Sequence, residues 1–240
     1  MAREVLTVCL QPLAPGAVRQ AIAEAIAPFD RNGEGKDLPP GEWDAWWMGA
    51  AGREFWIKPG FEDDPRLIRE YEPARVSNAH VIPPARCSGG PVGLLDIDGQ
   101  RSQAAAEANT LWREWEEFSS GFPPARSLDD LIAEEPEATY LHAGPAWHRY
   151  VAQPVMRAVL DDHALQARFG QRAVGDFSVG RERFVHRKAY ASLAHDGFLT
   201  LDGKWSAPNS HPDHEYAEAF NRYIDALPPG IVLVNIKYHT

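Results

Sequence analysis

The two ends of the chain carry the same pattern, an apolar strand beside an amphipathic helix. Residues 5–10 form a short apolar run with β-branched side chains, and residues 231–239 form another. A stripe of apolar side chains at helical spacing follows the first run, and a similar stripe precedes the last. Because strands of this kind bury their apolar side chains by pairing and packing, we expect the two terminal strands to be neighbours or near neighbours in one sheet.

This pattern predicts an α+β fold with a ferredoxin-like αβ-sandwich core and a large, mainly helical and irregular central insertion. We expect a single domain over residues 1–240, with the core in residues 1–58 and 196–240. The insertion then occupies residues 59–195. No internal repeat and no low-complexity segment argues for another architecture.

Several shorter elements are predicted between the ends. Residues 43–57 indicate a strand or a hairpin, with glycines where the backbone bends or another group approaches closely. Residues 94–97 indicate a short strand followed by a turn, and residues 198–205 indicate a tight hairpin around Asp202-Gly203. Residues 147–160 indicate a helix, with a kink at Pro154.

The charge and the cysteines limit the classes of partner. The net charge is −10 and no run of Lys and Arg offsets it, so nucleic acid is not an expected partner. No stretch is apolar enough for a membrane span and the start lacks an apolar leader, so we expect a cytoplasmic protein without a membrane partner. Cys9 reads as a small buried apolar side chain, and no disulfide with Cys87 is indicated.

A cluster of aromatic side chains is the first candidate site. It contains four tryptophans with one carboxylate and one guanidinium: Trp43, Asp44, Trp46, Trp47, Arg53 and Trp56. Aromatic walls with a few charged groups are typical of a cleft for a small polar ligand. The alternative is that the tryptophans are core residues and that Asp44 and Arg53 have structural roles.

The last strand is the second candidate. Strand alternation puts Asn235, Lys237 and His239 on one face. This polar row faces either a cleft, where His239 could transfer protons near neutral pH, or solvent at the edge of the sheet.

Two histidines near the start of the last helix form a third pattern. His211 and His214 have the spacing of an H-x-x-H metal motif, but Pro212 lies between them and no third ligand is indicated. The segment also has the composition of a helix start. The sequence therefore predicts no tightly bound metal and no cofactor.

Two segments resemble an uncharacterised family of small proteins encoded by bacteria and their phages. Its members carry a W-D-W-x-x-x-G-G-R-W motif and a later D-G-x-W segment before a terminal strand. Here residues 43–53 are similar to the first motif, with Glu54 where the motif has Trp, and residues 202–205 match the second. The resemblance implies a common fold and a shared pocket, and it carries no established activity.

These observations lead to one expected function and two alternatives. The expected function is a cofactor-independent enzyme that acts on a small polar or aromatic metabolite in a Trp-lined pocket. Asp44 and His239 would transfer protons, and the remaining groups would bind the substrate: Trp43, Trp46, Trp47, Arg53, Trp205, Asn235 and Lys237. The alternatives are a non-catalytic protein that binds or sequesters a small molecule, and a protein-interaction module anchored by tryptophans. The sequence does not predict the oligomeric state.

Overall fold

The computed structural model describes residues 3–33, 42–72, 80–134, 144–208 and 213–240. Helices and strands both contribute, so the predicted α+β class is confirmed. The strands are β1 Arg3–Leu10, β2 Ala45–Met48, β3 Phe55–Trp56, β4 Arg86–Cys87, β5 Gly89–Pro91, β6 Gly197–Leu199, β7 Trp205–Ser206 and β8 Val232–His239. The helices are α1 Val18–Ile26, α2 Ile97–Ser119, α3 Leu128–Ala133, α4 Pro145–Val151, α5 Pro154–Asp161, α6 His163–Phe169, α7 Ala173–Ser178, α8 Arg181–Ala191 and α9 Asp213–Asp225. Within these ranges, no helix is both long and apolar enough to cross a bilayer.

The two terminal strands are direct neighbours, as predicted. β1 and β8 pair antiparallel over their whole length, from Arg3 opposite His239 to Leu10 opposite Val232. The other edge of β8 pairs with β2 near its carboxyl end and with β5 near its amino end. β8 is therefore enclosed by strands on both sides, which places its side chains in the middle of the sheet.

The strand order differs from the predicted ferredoxin-like core, which is not confirmed. The order is β2-β8-β1-β6-β7, and the parallel strands β1 and β6 are direct neighbours. A split βαβ arrangement would place another strand between them. The predicted hairpin at residues 198–205 does form, because β6 and β7 pair antiparallel around Gly203, whose φ is +76°.

Glycines permit two close backbone approaches in this part of the fold. Gly49 has a φ of +73° and ends β2, and a Cβ there would lie 2.8 Å from the carbonyl oxygen of Glu70. Gly89 lets β5 approach β8, since a Cβ there would lie 2.2 Å from the carbonyl oxygen of Leu233.

Residues 43–57 do not form a hairpin. β2 joins the main sheet, whereas β3 pairs with β4 in a separate two-stranded sheet.

The segment predicted as a strand at residues 94–97 begins a helix instead. A short 3-10 turn covers Val92–Leu94, and α2 starts at Ile97. The Asp96 carboxylate accepts a hydrogen bond of 3.1 Å from the Gly99 backbone N–H. Asp96 thus satisfies an amide that the first helical turn leaves without a partner, and the Asp-Gly pair lies inside the helix rather than in a turn.

The main sheet has two faces with different cores. The α1 face carries Leu6, Val8 and Ile236, which pack with the buried stripe of α1. The opposite face carries Cys9, Leu233 and Phe198, which pack against α9. Thr7, Asn235, Lys237 and His239 alternate onto this second face, which we call the polar face.

The chain divides into two compact units. The first contains residues 1–102 and 190–240 and holds both sheets, and the second contains residues 103–189 and is helical. Residues 59–102, which the sequence assigned to the insertion, include β4 and β5 and belong to the first unit. The helical unit has its own core of aromatic and aliphatic side chains. The single kinked helix predicted for residues 147–160 is instead two helices, because α4 ends at Val151 and α5 begins at Pro154.

Candidate functional site

The pair formed by Asp44 and His239 lies at the carboxyl end of β8. Pairing of β2 with β8 sets Ala45 opposite His239, and the Asp44 backbone N–H donates to the His239 carbonyl oxygen at 2.9 Å. The Asp44 Oδ1 atom lies 2.6 Å from the His239 Nδ1 atom. Because a carboxylate only accepts hydrogen bonds, Nδ1 carries the hydrogen, and Nε2 of a neutral ring keeps its lone pair.

The Nε2 atom of His239 is the unsatisfied group of this pair. It is buried and has no hydrogen-bond partner in the ranges that the structure describes. The Asp44 and His239 side chains themselves are 37% and 19% exposed, so the pair lies near the surface. A buried polar atom without a partner is uncommon in folded proteins and marks a place where a ligand or water can supply the missing bond.

Lys237 is the next residue of the polar face. It lies opposite Trp47 of β2, and its Nζ atom is 6.0 Å from the centre of the Tyr71 ring. An ammonium group at this distance from an aromatic ring is held by electrostatic attraction. Lys237 therefore places a positive charge beside Asp44 and His239, two residues away along the same face.

A second carboxylate–imidazole pair adjoins this region. The Glu54 side chain is 3% exposed, and its Oε1 atom lies 2.5 Å from the His80 Nε2 atom. The same oxygen accepts a hydrogen bond of 3.0 Å from the Gly52 backbone N–H. The His80 ring meets the Tyr71 ring edge-on at 5.2 Å, so Tyr71 separates this pair from Lys237. The sequence assigns His80 no role, because its partner Glu54 is 26 residues away and no local motif joins the two residues.

Asn235 is part of a buried polar cluster rather than an open ligand site. It is 1% exposed, and its Oδ1 atom accepts a hydrogen bond of 2.8 Å from Thr7 Oγ1. Its amide nitrogen donates to the Arg53 carbonyl oxygen at 2.6 Å and contacts His195 Nε2 at 3.0 Å. Both amide hydrogens of Asn235 are thus used inside the protein. Asn235 therefore has no free N–H group to donate to a ligand, as its predicted ligand-binding role would require.

His195 completes this cluster. Because its Nε2 accepts from the Asn235 amide, its Nδ1 carries the hydrogen, and Nδ1 is buried without a partner among the described residues. Burial, together with the nearby Arg53 charge, lowers the pKa of His195 to about 3. His195 is therefore neutral over the physiological range. The sequence assigns His195 no role either, since its partner Asn235 is 40 residues away along the chain.

Arg53 lies at the edge of the same region. Its backbone N–H closes the turn from Ala50, and its carbonyl oxygen accepts from Asn235. Its side chain is exposed and forms no ion pair within the described part of the chain. Arg53 therefore keeps a guanidinium group that can bind an anion from solvent.

The sheet separates the predicted tryptophans instead of gathering them around one pocket. Trp43 donates its Nε1–H to the Ile26 carbonyl oxygen at 2.8 Å, and Trp205 packs 5.1 Å from Phe29. Trp46 lies on the same α1 face, whereas Trp47 alternates to the polar face. All eight tryptophans of the chain are buried or half-buried. This packing favours a structural role for Trp43, Trp46 and Trp205.

The remaining sequence candidates add no site to the first unit. His211 lies outside the described residues, and His214 is half-buried near the start of α9. Within the described ranges, no three His, Cys, Asp or Glu side chains form a group that could hold a metal ion. Cys9 and Cys87 are both buried free thiols, and burial raises the pKa of each to about 12.

The site thus consists of the Asp44–His239 pair and Lys237 on the polar face of the sheet, with the Glu54–His80 pair and the exposed Arg53 beside it. Comparison with known proteins found no matching family model, no matching curated protein and no matching solved structure.

Proposed function

We propose that this protein is a cofactor-independent acid–base enzyme that acts on a small polar metabolite at the polar face of the sheet. The observation that carries the proposal is the 2.6 Å contact between Asp44 Oδ1 and His239 Nδ1, with the opposite ring nitrogen left without a partner. A carboxylate that holds one imidazole nitrogen orients the ring and stabilises the imidazolium that forms when the other nitrogen takes a proton. We place the activity in the cytoplasm, where the two free thiols stay reduced.

The charges around His239 indicate the class of metabolite. Lys237 lies two residues away on the same face, and Arg53 offers an exposed guanidinium at the edge of the region. Both groups favour a substrate with a carboxylate or phosphate. In this proposal they hold the anionic end, while His239 Nε2 removes or returns a proton at a neighbouring atom.

A second candidate function is non-catalytic binding of the same class of metabolite. The observation that favours it is the enclosure of His239 Nε2, which is buried although the side chain is partly exposed. An enclosed nitrogen can hold a ligand by one hydrogen bond without reaching a reacting atom. The two functions differ in turnover and can be separated by experiment.

The test is exchange of substrate protons with solvent. A panel of 2-oxo acids, amino acids and sugar phosphates is incubated with the protein in D2O, and deuterium incorporation is followed by NMR and mass spectrometry. We expect incorporation into one class of acid, reduced by about 10²–10⁴-fold in His239→Gln, the range typical of a lost general acid–base group. Asp44→Asn should also reduce it.

Two matched variants control for general effects of the substitutions. Asp63→Asn and His163→Gln alter exposed side chains elsewhere and should leave exchange unchanged. Full exchange in His239→Gln would contradict the enzymatic proposal. Saturable binding of an acid without any exchange would establish the second candidate function in its place.

A further inference from the structure

The helical unit contains a groove that is separate from the residues of the polar face. Its volume is about 350 Å³, and it is lined by side chains of α2, α5, α7 and the loop that follows α2. All of these residues belong to the unit of residues 103–189. Pockets that bind small molecules are typically about 300–1,000 Å³ and mainly apolar, with a few polar groups that orient the ligand.

The apolar part of the groove is formed by the rings of Trp115, Phe122 and Phe177 together with aliphatic and proline side chains. Trp115 stacks on Phe177 at 4.8 Å, and Phe184 stacks on Phe177 at 4.5 Å. Trp115 and Phe177 both line the groove, so this stack forms an aromatic wall. Aromatic rings pack favourably on one another in offset-stacked or edge-to-face arrangements.

The polar part of the groove is formed by Ser119, Ser120 and Ser178. The Ser120 hydroxyl donates to the Glu117 carbonyl oxygen at 2.7 Å, and the Ser178 hydroxyl donates to the Gly175 carbonyl oxygen at 2.9 Å. Each hydroxyl hydrogen is therefore used within the protein. What the two oxygens still offer a ligand is hydrogen-bond acceptance.

The same serines lie at the carboxyl ends of two helices. α2 ends at Ser119 and α7 ends at Ser178, and neither helix has a basic residue in its last turn. The last turn of α2 instead contains Glu116 and Glu117. The carboxyl end of a helix carries partial negative charge and favours a cation. The net charge of −10 acts in the same direction.

We propose that this groove, which we call the aryl groove, binds a small arylalkylamine. The aromatic ring of the ligand packs against Trp115 and Phe177. Its ammonium group donates to the oxygens of Ser120 and Ser178 at the carboxyl ends of α2 and α7. This site does not depend on the acid–base function proposed for His239.

The test compares two probes that share a phenylethyl group and carry opposite charges, 2-phenylethylamine and 3-phenylpropionate, by isothermal titration calorimetry and NMR on the full chain. We expect the amine to bind with a Kd of about 1 mM or tighter, and at least about tenfold more tightly than the acid. Equal affinity for both probes would overturn the proposal, as would no binding of the amine at that concentration.

Three variants assign the binding to the groove. Ala125→Trp fills the groove and should abolish amine binding, with the melting temperature showing that the protein remains folded. The double variant Ser120→Ala/Ser178→Ala changes only exposed side chains and should weaken amine binding about tenfold. Ser102→Ala, an exposed serine in α2 outside the groove, should bind like the unaltered protein.

Two outcomes distinguish this site from the polar face of the sheet. Amine binding that survives in a folded Ala125→Trp protein would overturn the proposal. Amine binding lost in Asp44→Asn or His239→Gln would assign the amine to the sheet, and would also overturn it. Unchanged binding in those two variants supports an independent site, whether or not His239 is catalytic.

Discussion

The two faces of the main sheet are built from alternate residues of the same strands, yet they differ in what they bury. On the α1 face, Leu6 and Val8 of β1 lie opposite Ile236 and Val234 of β8, and all four are fully buried. On the polar face, Thr7 lies opposite Asn235, and both are equally buried. The four residues of the first set make apolar contacts with one another and with α1, whereas Thr7 and Asn235 are also joined by a buried hydrogen bond.

This difference affects how the two faces respond to change. An apolar core loses stability in proportion to the side-chain volume removed, because the loss comes from contacts and from the cavity. A buried polar cluster loses stability when one donor, acceptor or proton is changed, even at constant volume. The polar face also carries Lys237 and His239, which leave the core toward the surface and can serve binding or catalysis.

The largest expected loss of stability comes from a substitution on the α1 face. Ile236→Ala leaves a cavity between the sheet and α1 and should lower the free energy of unfolding by about 2–5 kcal/mol. Urea denaturation followed by circular dichroism measures this. Lys237→Ala, at the neighbouring residue on the polar face, should cost less than about 1 kcal/mol because that side chain is partly exposed. Equal losses of unfolding free energy in the two variants would show that the two faces do not differ in how they stabilise the sheet.

The next effect is a dependence of the free energy of unfolding on pH, which arises from His195 beside Asn235 of the polar face. The pKa of His195 is about 3 in the folded protein, whereas a histidine in the unfolded chain titrates near 6.5. Between these values the unfolded chain binds more protons, so stability falls as the pH drops below about 6.5 and is unaffected above it. The loss should be about 2 kcal/mol between pH 7 and pH 5.

Substitution of His195 tests the origin of this pH dependence. His195→Gln keeps an oxygen that can accept from the Asn235 amide but removes the titrating group. Urea denaturation at several pH values should therefore show a flatter profile for this variant between pH 7 and pH 5. An unchanged slope would assign the pH dependence to another residue.

A comparable effect is expected when a hydroxyl group and a methyl group are exchanged at two neighbouring residues of β1, one on each face of the sheet. Thr7→Val removes the hydroxyl that donates to Asn235 and should cost about 1 kcal/mol, since the added methyl group offsets part of the lost hydrogen bond. Val8→Thr buries a hydroxyl among aliphatic side chains and should cost about 2 kcal/mol or more. Thermal denaturation of both variants gives the comparison. A stabilising Val8→Thr would show that the α1 face accepts polar groups.

The smallest effect on stability is expected at the end of the polar face. Asp44 is partly exposed, and Asp44→Asn keeps an oxygen that can accept from His239 Nδ1. The free energy of unfolding should therefore fall by less than about 1 kcal/mol. A loss of several kcal/mol would place Asp44 in the scaffold of the sheet and remove the reason to assign it to catalysis.

Part of this site could be predicted from the sequence, because it depends on local geometry. Strand alternation alone puts Asn235, Lys237 and His239 on one face, and the structure keeps them there. The same rule separates Trp46 from Trp47 once residues 45–48 are recognised as a strand. The sequence does not distinguish this strand from a hairpin, and it therefore predicts one pocket lined by all of these tryptophans.

The sequence by itself determined the α+β class, the pairing of the terminal strands and the shared face of three polar residues, since these follow from the spacing of apolar side chains. Only the tertiary structure decided which of those polar residues are buried and what they contact. Asn235 is enclosed by Thr7 and His195, which lie 228 and 40 residues away along the chain. His239 meets Asp44 across 195 residues, and Glu54 meets His80 across 26. Contacts at such separations depend on strand order and register, which arise from the packing of the whole unit and leave no local pattern in the sequence.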